Sequence, residues 1–114
     1  MALSNYIPEA GDLVWLAFDP QAGHEQAGHR PVLVISPAAY NAKSGLMLCC
    51  PVTTKIKGYP FEVKTEVEGQ PSVIIADQVK SLDFKARNAK KTGEVPLEVL
   101  TQVRGKVMAL VSGI

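Results

Sequence analysis

The sequence predicts a mainly β domain: a small antiparallel barrel or strongly curved sheet that carries one C-terminal helix. Two observations point there. Short apolar runs, rich in β-branched and aromatic residues, follow one another between Gly- and Pro-containing turns, and no helical segments alternate with them. From Pro96 the period changes. Leu97, Leu100, Val103, Val107, Leu110 and Val111 then recur on one face of an amphipathic helix.

Each element has its own signal. Gly11-Asp12 opens residues 13–18, too apolar for clean alternation and too short for a helix, hence a buried strand. Turn formers fill residues 19–23. A second strand is expected over residues 30–36, with Pro31 tolerated at its first positions because proline brings no N–H. Residues 37–45 connect, with one helical turn at 38–41. A third strand covers 46–52 and ends at Thr53-Thr54. After the loop 55–60, residues 61–67 alternate strictly, which marks a strand with one wet face. A turn at 69–71 leads into a buried strand, 72–76, continued by 77–82. Residues 83–94 read as a polar, basic connection with Gly93 as a turn. Pro96 suits a first helical turn and Gly113 a stop, while Gly105 weakens the helix by about 1 kcal/mol against Ala. The expected order is five or six strands, then one helix, in a single domain spanning residues 1–114.

The totals narrow the function classes. A net charge of +1 gives no general attraction to polyanions, so any nucleic-acid binding must use a local patch or a surface built from two subunits. No run reaches the roughly 18 apolar residues of a membrane span, and the first residues show no basic-then-apolar leader. The only cysteines, Cys49 and Cys50, are neighbours on a strand and point to opposite faces, so they read as buried apolar residues of a reducing compartment. The cytoplasm is the expected location.

The chemistry concentrates at residues 24–31, where His24, Glu25, Gln26, His29 and Arg30 meet the start of a strand. His24-Glu25 echoes the HExxH zinc motif, but the second histidine would have to be Gly28, and Gly28 and Pro31 oppose the helix that motif needs. No metal and no cofactor are expected. A Cys–His nucleophile is disfavoured because both thiols sit within an apolar strand. Phosphodiester chemistry fits better. Cleavage of RNA by its own 2′-hydroxyl needs a base, an acid, and charge or hydrogen bonds for the phosphorane, with no nucleophile from the protein. Glu25, Arg30 and the hydroxyls of Thr53 and Thr54 supply those parts if the strand beginning at Arg30 pairs with the strand ending at Val52. Arg30 offers a fork that matches phosphate, for charge stabilisation first and proton donation second. Glu25 is a base or an anchor for Arg30. Lys55, Lys57 and Tyr59 give a loop with charge and a stacking face, as single-stranded RNA uses. Lys80, Lys85, Arg87, Lys90 and Lys91 form a second basic stretch. Asp77-Gln78 interrupts an apolar run, where a polar pair needs solvent or partners.

These segments resemble the MazF/PemK (Kid) family of bacterial toxins. The match is carried by Glu25-Gln26-Ala27-Gly28-His29-Arg30-Pro31 together with Pro51-Val52-Thr53-Thr54, flanked by Gly11-Asp12-Leu13-Val14-Trp15, Lys57-Gly58-Tyr59-Pro60-Phe61 and Ala76-Asp77-Gln78-Val79-Lys80-Ser81. It covers essentially the whole chain. The resemblance implies an SH3-like barrel of the CcdB/PemK/MazF toxin type and a homodimer. It implies a metal-independent, sequence-specific endoribonuclease that cuts single-stranded RNA to a 2′,3′-cyclic phosphate and a 5′-hydroxyl and so stops translation. A cognate antitoxin protein, often with an acidic disordered segment, is the implied partner. Catalytic roles fall on Arg30, Thr53 and Glu25. RNA-binding roles fall on His24, Gln26, His29, Lys55, Lys57, Asp77 and Gln78. The alternative is a non-catalytic toxin of the same fold that poisons a protein target such as DNA gyrase, which fold alone does not separate.

Overall fold

The structure, a computed structural model, describes residues 5–18 and 28–113. Among them run β1 (Asp12–Phe18), β2 (Gly28–Val34), α1 (Ala38–Ser44), β3 (Leu46–Thr53), β4 (Glu62–Val67), β5 (Gln70–Ile75), β6 (Lys80–Asp83), β7 (Lys90–Glu94) and α2 (Leu97–Ser112). The strands form one antiparallel sheet in the order β4-β5-β3-β2-β1-β7, with β6 added on β3. The sheet curls into a half-barrel carrying the C-terminal helix, the class the sequence predicts.

The apolar runs lack alternation because both faces of the central strands are buried. Leu13, Leu33, Cys50, Val52, Val63 and Ile74 pack on one side with Leu100 and Val103 of α2. Val14, Leu16, Val32, Val34, Met47 and Cys49 pack on the other around Phe84. Burying one such side chain is worth roughly 1.5–3 kcal/mol, so these two layers supply the main driving force. β4 shows the opposite pattern: Val63 and Val67 are buried, Lys64 and Glu66 exposed.

β3 is the hub. Its first half pairs with β6 from Leu46↔Asp83 to Cys49↔Lys80, and its end pairs with β5 at Val52↔Ile74 and Thr53↔Val73. Pro51 falls at the changeover, where a missing N–H interrupts neither ladder. Pro31 is not at the start of its strand, as expected, but fourth in β2. It is tolerated because β2 gains its second neighbour only from Val32 onward, at Val32↔Pro51.

Five other expectations change. Residues 72–82 are not one continued strand. The Gln78 N–H bonds to the Ile75 carbonyl at 3.2 Å, so the chain turns at Ala76-Asp77, Asp77 and Gln78 take solvent, and β6 pairs a different part of β3. Residues 83–94 hold a strand: β7 is an edge strand whose exposed Lys90 and Lys91 guard it and disguise it as a loop. Gly93 is no turn but sits opposite Leu13, where the β1–β7 register shifts. The helical stripe docks only in part, since Leu97, Leu110 and Val111 are 75%, 47% and 84% exposed. The helical turn at 38–41 extends to a two-turn helix, α1, closed by Gly45 in the left-handed region.

α1 is pinned by a buried polar cluster. Asn41 is fully buried; its amide donates to the carbonyls of Pro8 (2.8 Å) and Ser36 (3.1 Å), and its oxygen accepts from the Ser36 hydroxyl at 2.6 Å. The Ser36 oxygen in turn accepts the Leu48 N–H at 2.8 Å. Asn41→Ala removes all three bonds and strands two carbonyls. It is expected to cost about 2–4 kcal/mol in denaturant unfolding, with an unchanged far-ultraviolet spectrum in water.

Candidate active site

The site begins with a register. β2 and β3 pair antiparallel at Val32↔Pro51, Leu33↔Cys50 and Val34↔Cys49. Continued by two residues, the same register sets Arg30 against Thr53. Period two then aims Arg30, Val32, Pro51 and Thr53 to one face. Arg30 is exposed and Thr53 half-buried, and both line a broad cleft of about 1030 Å³. The Thr53 Oγ1 accepts the Lys55 N–H at 3.1 Å. A hydroxyl that accepts this bond keeps its own hydrogen for donation.

The loop 55–60 is built rather than slack. The Glu62 carboxylate accepts the N–H groups of Lys57 (3.0 Å) and Gly58 (2.7 Å), and Gly58 has a φ of 82°, which favours glycine. The Tyr59 hydroxyl donates to Asp77 Oδ1 at 2.8 Å, and its ring meets Phe61 at 6.4 Å, tilted by 60°. The bond to Asp77 raises the Tyr59 phenol above its ordinary range and keeps it a donor. Lys106 of α2 donates from Nζ to the Pro60 carbonyl at 2.5 Å. The lysines of this loop therefore project from a fixed frame.

The cleft unites Arg30, Thr53, His29, Lys55, Lys57 and Gln78 of the residues predicted from sequence. Asp77 joins them through Tyr59. His24, Glu25 and Gln26 lie outside the described residues. Of the basic stretch after residue 79, Lys80 lines the cleft; Lys91 instead pairs with Asp12 at 3.3 Å and Glu94 at 2.6 Å. Sequence reasoning missed the role of Glu62. Its only signal was Gly58 four residues before a carboxylate, which means nothing until the loop folds back. It also missed Trp15 on the cleft wall.

Among the described residues, no three His, Cys, Asp or Glu side chains converge as a metal site. The two thiols are not nucleophiles: burial pushes both Cys49 and Cys50 up to about 12. The cleft brings together a guanidinium, a hydroxyl donor and ammonium groups, a set that suits a phosphodiester.

A family model described as PemK-like, MazF-like toxin of type II toxin-antitoxin system matches residues 9–111. The chain belongs to this family. The endoribonuclease toxin MazF of Escherichia coli strain K12 is 50% identical over 109 residues, covering 96% of this chain and 98% of that protein. The endoribonuclease PemK of Escherichia coli is 32% identical over 109 residues, covering 91% and 82%. Among solved structures, a MazE-MazF crystal structure from Deinococcus radiodurans matches with a TM-score of 0.87 and 54% identity, covering 95% of this chain and 98% of the other. Among the described residues, no helix is long and apolar enough to cross a membrane.

The buried, protonated thiols have a direct consequence. Iodoacetamide at pH 8 is expected to leave native Cys49 and Cys50 unmodified and to alkylate both in denaturant, as read by intact-mass spectrometry. Rapid native labelling would contradict their placement.

Proposed function

We propose that this chain is the toxin of a toxin–antitoxin pair and acts as a sequence-specific endoribonuclease on single-stranded RNA in the cytoplasm. The RNA's own 2′-hydroxyl attacks the adjacent phosphorus, the 5′-oxygen leaves, and the products carry a 2′,3′-cyclic phosphate and a 5′-hydroxyl. The reaction needs no metal. Destruction of messages stops translation. The observation that carries this reading is that Arg30 and Thr53, on the neighbouring strands β2 and β3, line one cleft with Lys55, Lys57 and Lys80. A toxin that only binds a protein target has no need of that set, and the relatives named above carry endoribonuclease names.

The roles follow from side-chain chemistry. Arg30 stabilises charge on the phosphorane with its fork of N–H groups, and protonates the leaving oxygen second. The Thr53 hydroxyl donates to a non-bridging oxygen. Glu25 takes the 2′ proton or orients Arg30. The lysines of the loop 55–60 hold the backbone, while His24, Gln26, His29, Asp77 and Gln78 contact bases and flanking phosphates. The active form is a homodimer, and a cognate antitoxin with an acidic segment blocks the cleft.

Long single-stranded RNA incubated with the protein in EDTA tests this. Cleavage is expected to persist. Arg30→Ala and Thr53→Val are each expected to lose about 10²-fold or more in rate, with circular dichroism unchanged, because each removes one preorganised donor. RNA left uncut by the wild type would overturn the ribonuclease reading. Cleavage abolished by EDTA and restored by added divalent metal would overturn the metal-free mechanism.

A further inference from the structure

The β4–β5 hairpin is closed by Glu68 and Gly69, with φ angles of 53° and 79°, between the paired residues Val67 and Gln70. A two-residue loop with both φ positive has the form of a type I′ turn, where Asn, Asp and Gly are the ordinary first residues. Glu68 is a poor local choice for that position, and its side chain shows what offsets the strain. Its Oε2 accepts the Trp15 indole N–H at 2.9 Å and the Thr92 hydroxyl at 2.5 Å. Trp15 lies on β1 and Thr92 on β7. One carboxylate oxygen therefore ties the hairpin tip to the far end of a strand order in which β4 and β7 are the two edges. The same two bonds, that from Thr92 first, hold the Glu68 carboxyl below its ordinary range.

This link is also part of the cleft. Trp15 and Glu68 line it, and so do Gln70 and Ser72 of the hairpin. Trp15 is the register partner of Pro31, the residue next to Arg30. The position of the hairpin thus decides where one wall of the cleft stands relative to Arg30 and Thr53.

We propose that Glu68 is a positioning residue for RNA binding: its carboxylate clasps Trp15 and Thr92 and so holds the β4–β5 hairpin as a fixed wall of the cleft. This rests on the ribonuclease reading. A wall that touches RNA away from the scissile phosphate contributes equally to ground and transition states. Its loss therefore raises KM and leaves kcat.

The test combines steady-state cleavage with indole N–H exchange by NMR, on wild type, Glu68→Asn, Glu68→Gln and Thr92→Val. The substrate is an RNA oligonucleotide spanning one cut site mapped with the wild type. Trp15 is the only tryptophan, so one resonance reports the clasp. Asn suits the turn but does not reach Trp15. Glu68→Asn is expected to speed indole exchange and raise KM about five- to tenfold, with kcat within about twofold. Glu68→Gln keeps an acceptor oxygen and is expected to restore most of both. Thr92→Val removes one bond and is expected to raise KM about two- to threefold. Unchanged indole exchange in Glu68→Asn would overturn the clasp. Faster exchange with unchanged KM, or a loss confined to kcat, would overturn its positioning role. If Glu68→Asn does not fold, an unchanged KM in Thr92→Val overturns the proposal. Wild-type protein that leaves RNA uncut would overturn the ribonuclease reading and this one with it.

Discussion

The antiparallel register of β2 on β3 is the constraint on which the site depends. Val32 pairs with Pro51, and Arg30 and Thr53 each stand two residues beyond that pair, on the same face by period two. A slip of one residue would send these two side chains to opposite faces. Hydrophobic pattern alone guards poorly against that slip, because both faces of both strands are apolar. Polar bonds beyond the strand ends add the missing specification. The Ile35 N–H bonds to the Leu48 carbonyl at 2.9 Å, and the Ser36–Asn41 cluster captures the Leu48 N–H. Arg104 of α2 donates from Nε and Nη2 to the Ile35 carbonyl, at 3.1 and 2.7 Å. The helix thus secures the end of the strand whose other end carries Arg30.

The proposed attack by the RNA's own 2′-hydroxyl calls for charge to be stabilised by dipoles already in place. The loop 55–60 meets that requirement through four separate attachments: Thr53 at its start, Glu62 beneath its middle, Asp77 on Tyr59, and Lys106 on Pro60. All four partners lie outside the loop, on β3, on β4, on the turn after β5 and on α2. The loop's geometry is therefore a property of the whole fold. Mutations that loosen α2 around Lys106 act on the cleft without touching it.

Strands with strong composition were legible in the sequence, and so was the placing of Arg30 and Thr53 in one cleft. β1, β3 and β4 announce themselves by apolar or alternating runs. Arg30 and Thr53 were recognisable because each stands where a polar motif meets an apolar strand, in segments that resemble a known family. Other features were hidden for physical reasons. β7 is a lysine-guarded edge strand, and its composition is that of a wet loop. The break at Asp77-Gln78 is set by solvent access and by Tyr59, neither of which local pattern encodes. The exposed half of the α2 stripe has perfect periodicity but too little sheet beneath it. Glu68 looked like one more charge in a turn, because its partners lie 53 and 24 residues away in sequence.

In the proposed reaction the RNA supplies the nucleophile, and the protein supplies positioned donors, charge and proton transfer. An RNA oligonucleotide that the wild type cuts at one site, resynthesised with a single 2′-deoxynucleotide on the 5′ side of that bond, tests it most directly. The substituted strand is expected to bind with nearly unchanged affinity and to stay uncut, while the unmodified strand ends in a 2′,3′-cyclic phosphate. Cleavage of the deoxy-substituted bond would contradict it, since the attacking oxygen would then have to come from water or the protein.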